Sequence, residues 1–254
     1  MADYDNRLMR GATTVAETMD TGLRAYMLRV YNYMVAGLAL TGAVAWLTAN
    51  TSFGQIFYNH VMTASGGVVP QPNILGWIAF FAPLGITLLL SFRFAKMSLG
   101  GVQAAYWSIA GLMGVQLAMI LFVYTGLSVA TTFFVAAAMF GGMSLFGYST
   151  GRDLTGIGHF MIMGVWGLIV AMLVTAFFPS TNSPAVSFAI NIIGVVIFTA
   201  LTAYDTQKVK QLYYVVGGGD AATAGKASIM GALNLYLDFY NMFLFLLRLM
   251  GNRR

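Results

Sequence analysis

The sequence contains no cysteine, and charged residues make up only 8% of its 254 residues. The absence of cysteine excludes disulfide bridges, thiolate metal ligands and a cysteine nucleophile. The scarcity of charge excludes an ordinary soluble domain, in which charged residues make up about 25%. With 59% hydrophobic residues, the composition is typical of an integral membrane protein.

Asp, Glu, Lys and Arg are absent from three long stretches, residues 30–92, 97–151 and 154–204. A membrane-spanning helix needs about 20 apolar residues, so each stretch can hold two spans and their connecting loop. Residues 227–247 contain Asp238 as their single charged residue and fit one more span. The sequence therefore predicts an all-α integral membrane protein with seven transmembrane helices. The expected helices cover residues 30–48, 74–92, 100–124, 128–148, 157–178, 185–210 and 228–249.

Three parts of the chain follow from this prediction. Residues 30–250 form the seven-helix transmembrane domain, and residues 251–254 form a short C-terminal tail. Residues 1–29 form an N-terminal tail, which is either a solvated helix or an amphipathic helix on the membrane surface. The amphipathic interpretation rests on apolar residues spaced by three or four, namely Val15, Met19, Leu23, Tyr26 and Met27. Residues 49–73 contain several glycines and prolines and are expected to be a loop.

Basic residues are distributed unevenly between the two sides of the predicted bundle. Of the 13 lysines and arginines, all but Arg248, Arg253 and Arg254 fall on one side. By the positive-inside rule, the N-terminus is cytoplasmic, and seven spans place the C-terminus in the periplasm. The net charge of +5 does not indicate a nucleic-acid partner, because the basic residues lie at helix ends and form no patch. The expected surroundings are the lipid bilayer.

Two aspartates lie within segments that are predicted to cross the membrane. Asp205 belongs to the sixth helix and Asp238 to the seventh. A carboxylate at bilayer depth costs about 2.5–3.5 kcal/mol on insertion scales, so such a residue is a candidate functional site. The midpoint between the two positions falls beside the glycine-rich loop at residues 217–219. Because residues equidistant from a hairpin turn lie at similar height, the two aspartates are expected at the same depth, on the cytoplasmic side.

A pair of carboxyl groups at this depth predicts a proton-linked switch. At a separation of about 4 Å and an effective dielectric constant near 20, their repulsion is about 4 kcal/mol. The pair would then share one proton and titrate as a unit, and a cation would compensate the charge when both are ionised. A structural role is the alternative, in which Asp205 is an interfacial neighbour of Lys208 and Asp238 bonds a nearby asparagine or tyrosine. Arg93, at the same side, is either a counter-charge for the pair or a positive-inside anchor.

Other intramembrane chemistry fits the sequence less well. A serine protease needs a serine and a histidine at one depth; the candidates are Ser144, His60 in the predicted outer loop and His159 at the cytoplasmic start of the fifth helix. A presenilin-type aspartyl protease has Gly-x-Gly before its second aspartate, where this chain has Leu235-Tyr-Leu237. We therefore expect neither enzymatic activity nor a cofactor. Two carboxylates without an EF-hand loop can bind Ca²⁺ only weakly.

The aspartate segments resemble the Bax inhibitor-1 family, also called TMBIM. The resemblance rests on Tyr204-Asp-Thr-Gln207 and on Leu235-Tyr-Leu-Asp-Phe-Tyr-Asn-Met-Phe-Leu244, and it covers nearly the whole chain. Gly22-Leu-Arg-Ala-Tyr-Met-Leu-Arg-Val-Tyr31 is similar to the bacterial YccA-type branch. The resemblance implies a seven-helix fold with the last helix central, in the bacterial inner membrane.

The same resemblance implies a function and assigns residues to it. It implies a pH-dependent calcium leak in which Asp205 and Asp238 form a cytoplasmic proton-linked latch and a weak, transient Ca²⁺ site. It places Arg93, within Phe92-Arg-Phe-Ala-Lys96, as the arginine that pairs with the latch. The alternative function is regulation of FtsH, a membrane-anchored AAA protease with which the YccA-type branch is associated, through residues 1–29.

Overall fold

The computed structural model describes residues 2–62, 68–181, 183–216 and 220–253, with all their side chains except those of residues 2–20, 60, 68 and 179. Within these residues, seven α-helices are long and apolar enough to cross a membrane. They are α1 Ala2–Asn50, α2 Ile74–Arg93, α3 Leu99–Val123, α4 Gly126–Ser149, α5 Thr155–Phe177, α6 Pro184–Val216 and α7 Ala221–Met250. The predicted all-α, seven-span fold is confirmed.

The helices from α2 to α5 begin and end within two residues of their predicted bounds. Three of them start after a polar residue whose side chain accepts a hydrogen bond from a backbone N–H of the first turn. These residues are Asn73 for α2, Ser98 for α3 and Thr125 for α4. In contrast, α6 continues to Val216 and α7 already begins at Ala221. Loss of apolar character marks the edge of the membrane, but it does not end a helix.

The first helix continues unbroken through residue 30, where the sequence predicted the end of a separate tail. Leu23, Tyr26 and Met27 of the predicted surface helix are buried in the main core. Their spacing of three or four continues along the helix with Val30 and Met34, which are also buried there. The apolar stripe therefore packs against other helices instead of lying on the membrane surface. The stripe lies within the first candidate span, Thr21–Asn50.

The connection between α1 and α2, which was predicted to be a loop, contains an antiparallel hairpin. Strand β1, Tyr58–Met62, pairs with strand β2, Val68–Pro72, so that His60 lies opposite Pro70. The hydroxyl of buried Tyr58 donates a hydrogen bond of 2.7 Å to the Val115 carbonyl oxygen of α3. Valine and tyrosine favour an extended backbone, and this tyrosine fixes the hairpin over α3.

Removal of the Tyr58 hydroxyl is expected to change how stability depends on alkaline pH. Burial raises the pKa of Tyr58 to about 12, from a usual value near 10. The stability that this shift contributes is fully present below pH 10 and is lost as the pH rises through 12. We therefore expect the unfolding temperature of Tyr58→Phe in detergent to fall less steeply between pH 10 and pH 12 than that of the wild type. Parallel curves for the two proteins would contradict this prediction.

The last helix lies at the centre of the bundle, as the family resemblance implied. In the most apolar part of α7, 72% of the residues are buried, against 6% in the corresponding part of α5. Helix α7 contacts α1, α3, α4 and α6, while α5 packs mainly against α6. Any polar side chain that points from α7 into the bundle is therefore separated from both lipid and water.

Candidate functional site

The α6–α7 hairpin brings the two intramembrane aspartates together. Asp205 and Asp238 are hydrogen-bond partners of each other. Asp238 is only 4% exposed, and Asp205 is partly buried. The predicted match in depth is thus met, although the hairpin is not symmetric. Asp205 precedes the end of α6 by 11 residues, whereas Asp238 follows the start of α7 by 17, so α7 extends about 9 Å further.

The bond between the two carboxyl groups depends on a proton. Ionised carboxylates only accept hydrogen bonds, so one of the two groups must be protonated to donate. The Oδ2 atom of Asp238 is buried and has no hydrogen-bond partner among the described residues. A buried unsatisfied polar atom typically costs about 1–3 kcal/mol. An unsatisfied carboxyl oxygen at the centre of the bundle therefore lowers stability. Since stability does not explain its presence, it points to a functional role.

Lys208 is the basic residue beside this pair, although it forms no ion pair with either carboxylate among the described residues. Its charge interacts with both Asp205 and Asp238, and its ammonium group lies 5.8 Å from the centre of the Tyr204 ring. Arg93 is exposed and forms no ion pair with either carboxylate within the described part of the chain. The reason is its position at the end of α2, a helix that packs mainly against α3. The structure thus places Lys208 near the pair and does not bring Arg93 to it.

A chain of hydroxyl groups lies beside the aspartates and joins three helices. Ser144 Oγ on α4 is 2.6 Å from Tyr31 Oη on α1 and 3.0 Å from Thr206 Oγ1 on α6. Thr206 in turn donates to the Thr202 carbonyl oxygen at 2.7 Å. The sequence offered Ser144 only as a candidate protease nucleophile. Its hydrogen bonds join residues far away in the chain, so the local sequence pattern does not predict them.

A cleft of about 640 Å³ opens between α1 and α4 and reaches this hydroxyl chain. Its lining includes Arg24, Tyr31 and Ser144, together with the apolar Phe140 and Leu145. Ser144 bonds Thr206, the residue next to Asp205, but neither aspartate lines the cleft. By contrast, His159 is exposed on α5, and the side chain of His60 lies outside the described residues. Nothing in the described residues pairs Ser144 with a histidine base.

Gln207, two residues after Asp205, holds the loop between α4 and α5. Its Oε1 accepts from the Leu154 backbone N–H at 2.9 Å, and its Nε2 donates to the Arg152 carbonyl oxygen at 2.8 Å. In the same loop, Asp153 accepts from the backbone N–H of Thr155, the first residue of α5, at 2.9 Å. Hydrogen bonds from the hydroxyl and the backbone N–H of Thr155 lower the pKa of Asp153.

Loss of the Gln207 amide is expected to expose this loop to proteases. The Gln207→Ala variant leaves the buried Leu154 N–H without its partner, at a cost of about 1–3 kcal/mol. Trypsin should therefore cut after exposed Arg152 roughly tenfold faster than in the wild type, because local opening becomes more frequent. Gln103→Ala is the matched control, since that amide donates to Tyr33 on α1. Equal cleavage rates at Arg152 in both variants would contradict the prediction.

Glycines let the neighbouring helices approach α6 around Asp205. A Cβ atom on Gly147 of α4 would overlap the carbonyl oxygen of Ala203. A Cβ atom on Gly158 of α5 would overlap the ring of Tyr204. Both contacts involve the two residues that immediately precede Asp205. The position of the carboxyl group is therefore fixed by close packing of α4 and α5 against α6.

The acidic residues available for a cation in this region are few. Among the described residues, no group of three or more His, Cys, Asp or Glu side chains could hold a metal ion. The amide of Asn241, one turn after Asp238, donates instead to the Leu237 carbonyl oxygen of its own helix. A cation at the aspartate pair would thus find two carboxyl groups and no third acidic ligand among the described residues.

Comparison with known proteins identifies the family. A family model described as "Inhibitor of apoptosis-promoting Bax1" matches residues 23–254. An uncharacterized protein of Rickettsia prowazekii is 46% identical over 254 residues, which cover 100% of both chains. The inner membrane protein YbhL of Escherichia coli K12 is 42% identical over 235 residues, which cover 92% of this chain and 94% of YbhL. The match in sequence extends over all seven helices and both aspartate segments, and the chain therefore belongs to the Bax inhibitor-1 family.

Proposed function

We propose that the protein is a pH-sensitive calcium leak channel of the bacterial inner membrane, gated by Asp205 and Asp238. The observation that carries the proposal is the proton-dependent bond between two carboxyl groups inside the bundle. The proposed location is supported by the seven apolar helices and by the name of the relative YbhL, an inner membrane protein. The basic residues at one side orient the N-terminus to the cytoplasm and the C-terminus to the periplasm.

In the gating step, an attraction between α6 and α7 is replaced by a repulsion. With one proton shared, a hydrogen bond holds the two helices together at Asp205 and Asp238. When that proton leaves, two like charges face each other, and their repulsion at about 4 Å is about 4 kcal/mol at an effective dielectric constant near 20. A change of this size shifts a two-state equilibrium by about 10³-fold. The charge of Lys208 acts on both groups and tunes this balance.

Calcium is the proposed transported ion because it compensates the charge that the pair gains on losing the proton. Ca²⁺ prefers six to eight oxygen ligands, and two carboxyl groups supply only part of such a shell. The ion would keep much of its water and bind weakly, as passage through a channel requires. In this proposal, the ion approaches the pair through the cleft between α1 and α4, which reaches Ser144.

Calcium influx into proteoliposomes tests the proposal directly. Flux through the wild type is expected to vary between pH 6 and pH 8, whereas the Asp205→Asn variant should lose this variation. Asp220→Asn is the matched control, because Asp220 is an exposed residue ahead of α7 and should leave the profile unchanged. Folded wild-type protein that gives no flux above empty liposomes would overturn the proposal.

Regulation of the membrane-anchored protease FtsH is the second candidate function. The observation in its favour is that α1 begins at Ala2, well ahead of the charge-free stretch that starts at residue 30. Deletion of residues 2–20 should abolish association with the protease and retain the bundle. A deletion through residue 29 would be uninformative, because it removes Leu23, Tyr26 and Met27 from the core. Unchanged association after the shorter deletion would remove this candidate.

A further inference from the structure

A second polar cleft lies at the end of the bundle opposite to the α6–α7 loop. It has a volume of about 400 Å³ and lies where α5 ends, α6 begins and α7 ends. Its polar lining comprises Thr175, Ser187, Asn191, Arg248 and Arg253. None of these residues takes part in the aspartate site or in its hydroxyl chain. The cleft is therefore a separate feature of the molecule.

Among the side chains that the structure describes, no acidic one lies near the two arginines of this cleft. The chain contains eight Asp and Glu residues, and none lies between Asp153 and Asp205 or after Asp238. The four that the structure describes with their side chains fall on the opposite side of the bundle or inside it, namely Asp153, Asp205, Asp220 and Asp238. The guanidinium groups of Arg248 and Arg253 instead lie 5.7 Å from the centre of the Phe245 ring and 5.9 Å from that of Tyr124. Two such cations around one cleft create a strong preference for an anion.

The cleft is built into the fold and is more than a pair of surface charges. Asn191 is only 8% exposed, lines the cleft, and forms no hydrogen bond with the described residues. Its amide is thus available to a ligand. The segment that carries Arg253 is also fixed, since Asn252 accepts from the Thr125 N–H at 3.1 Å and donates to Ser128 Oγ at 2.9 Å. The backbone that carries each arginine is therefore fixed, within α7 for Arg248 and by these two bonds for Arg253.

We propose that this cleft binds the phosphate group of an anionic phospholipid. Arginine guanidinium groups match the geometry of phosphate oxygens and bind them through two parallel hydrogen bonds. The apolar lining of Met172 and Phe188 continues the cleft along lipid-facing helices, where it can take an acyl chain. In the proposed orientation, this is the outer leaflet, where the positive-inside rule disfavours arginine. Binding of an anionic lipid explains why two arginines are found there.

Lipid retention by purified protein tests this inference. The wild type and the Arg248→Gln/Arg253→Gln variant are reconstituted in nanodiscs with phosphatidylglycerol and phosphatidylcholine, and the lipids retained in detergent are counted by native mass spectrometry. We expect the wild type to retain phosphatidylglycerol and the variant to lose at least about tenfold in affinity, because each lost guanidinium removes charge-assisted hydrogen bonds. Arg152→Gln, an exposed arginine at the other side, is the control and should retain phosphatidylglycerol like the wild type.

Further measurements distinguish a lipid phosphate from a soluble phosphate. A second variant keeps the test valid if the first one does not fold. Equal retention of phosphatidylglycerol by the wild type and the double variant would overturn the inference. So would a rise in unfolding temperature on addition of inorganic phosphate without any lipid retained, which would identify a soluble anion as the ligand. If the double variant does not fold, Arg253→Gln alone replaces it, because Arg253 lies beyond the end of α7. Asn191→Leu should likewise weaken phosphatidylglycerol retention while both arginines remain.

Discussion

Gly147→Ala is expected to destabilise the protein by about 3 kcal/mol, the upper part of the usual range for overpacking in a core. The added methyl group would overlap the carbonyl oxygen of Ala203 and lie 2.8 Å from its Cα atom. These are backbone atoms, so they can move only if α6 moves as a whole. Since Asp205 follows Ala203 by two residues, the same displacement would also disturb the aspartate pair.

Gly142→Ala on the same helix is the matched control for this prediction. A Cβ atom on Gly142 meets nothing within 4 Å, and the residue is exposed. Alanine favours a helix over glycine by up to about 1 kcal/mol, so this variant should be as stable as the wild type or more so. Thermal unfolding in detergent, followed by tryptophan fluorescence, measures both variants. Similar unfolding temperatures for Gly147→Ala and Gly142→Ala would show that α4 and α6 do not pack this closely.

The Asp205→Asn/Asp238→Asn variant is expected to lose the pH dependence of both calcium flux and stability between pH 6 and pH 8. Asparagine retains a hydrogen-bonding side chain of nearly the same shape and removes the ionisable proton. In the wild type, loss of the shared proton adds about 4 kcal/mol of repulsion between α6 and α7 at an effective dielectric constant near 20. In the variant, no such charge can develop at this site. Its unfolding temperature and flux should therefore be nearly constant across this range.

The two single variants make this prediction sharper. Because Asp205 and Asp238 share one proton, each single substitution should already remove most of the pH dependence, and the effects should not add. Flux and unfolding temperature are measured on the same preparations, so that loss of folding is not mistaken for loss of gating. The proposed gate fails if the double variant and the wild type conduct calcium equally at every pH.

The contrast between Arg93 and Lys208 shows the limit of what a sequence pattern can assign. Both are basic residues at the predicted cytoplasmic side, and the family resemblance favoured Arg93. The sequence already placed Lys208 one turn beyond Asp205, but only the packing of α2 against α3 shows that Arg93 does not reach the pair. Similarly, the role of Gln207 depends on a loop more than 50 residues away in the chain.

The sequence by itself determined the number of spans, the family and the identity of the two aspartates. These properties depend on local composition, because each span must be apolar along its own length and a lone carboxylate within it is conspicuous. Tertiary structure alone decided the continuity of α1 into the core, the hairpin anchored by Tyr58, the hydroxyl chain at Ser144 and the cleft between Arg248 and Arg253. The physical reason is that these features depend on how helices rotate and approach one another. That is decided by contacts such as Gly147 against Ala203, between residues far apart in the sequence.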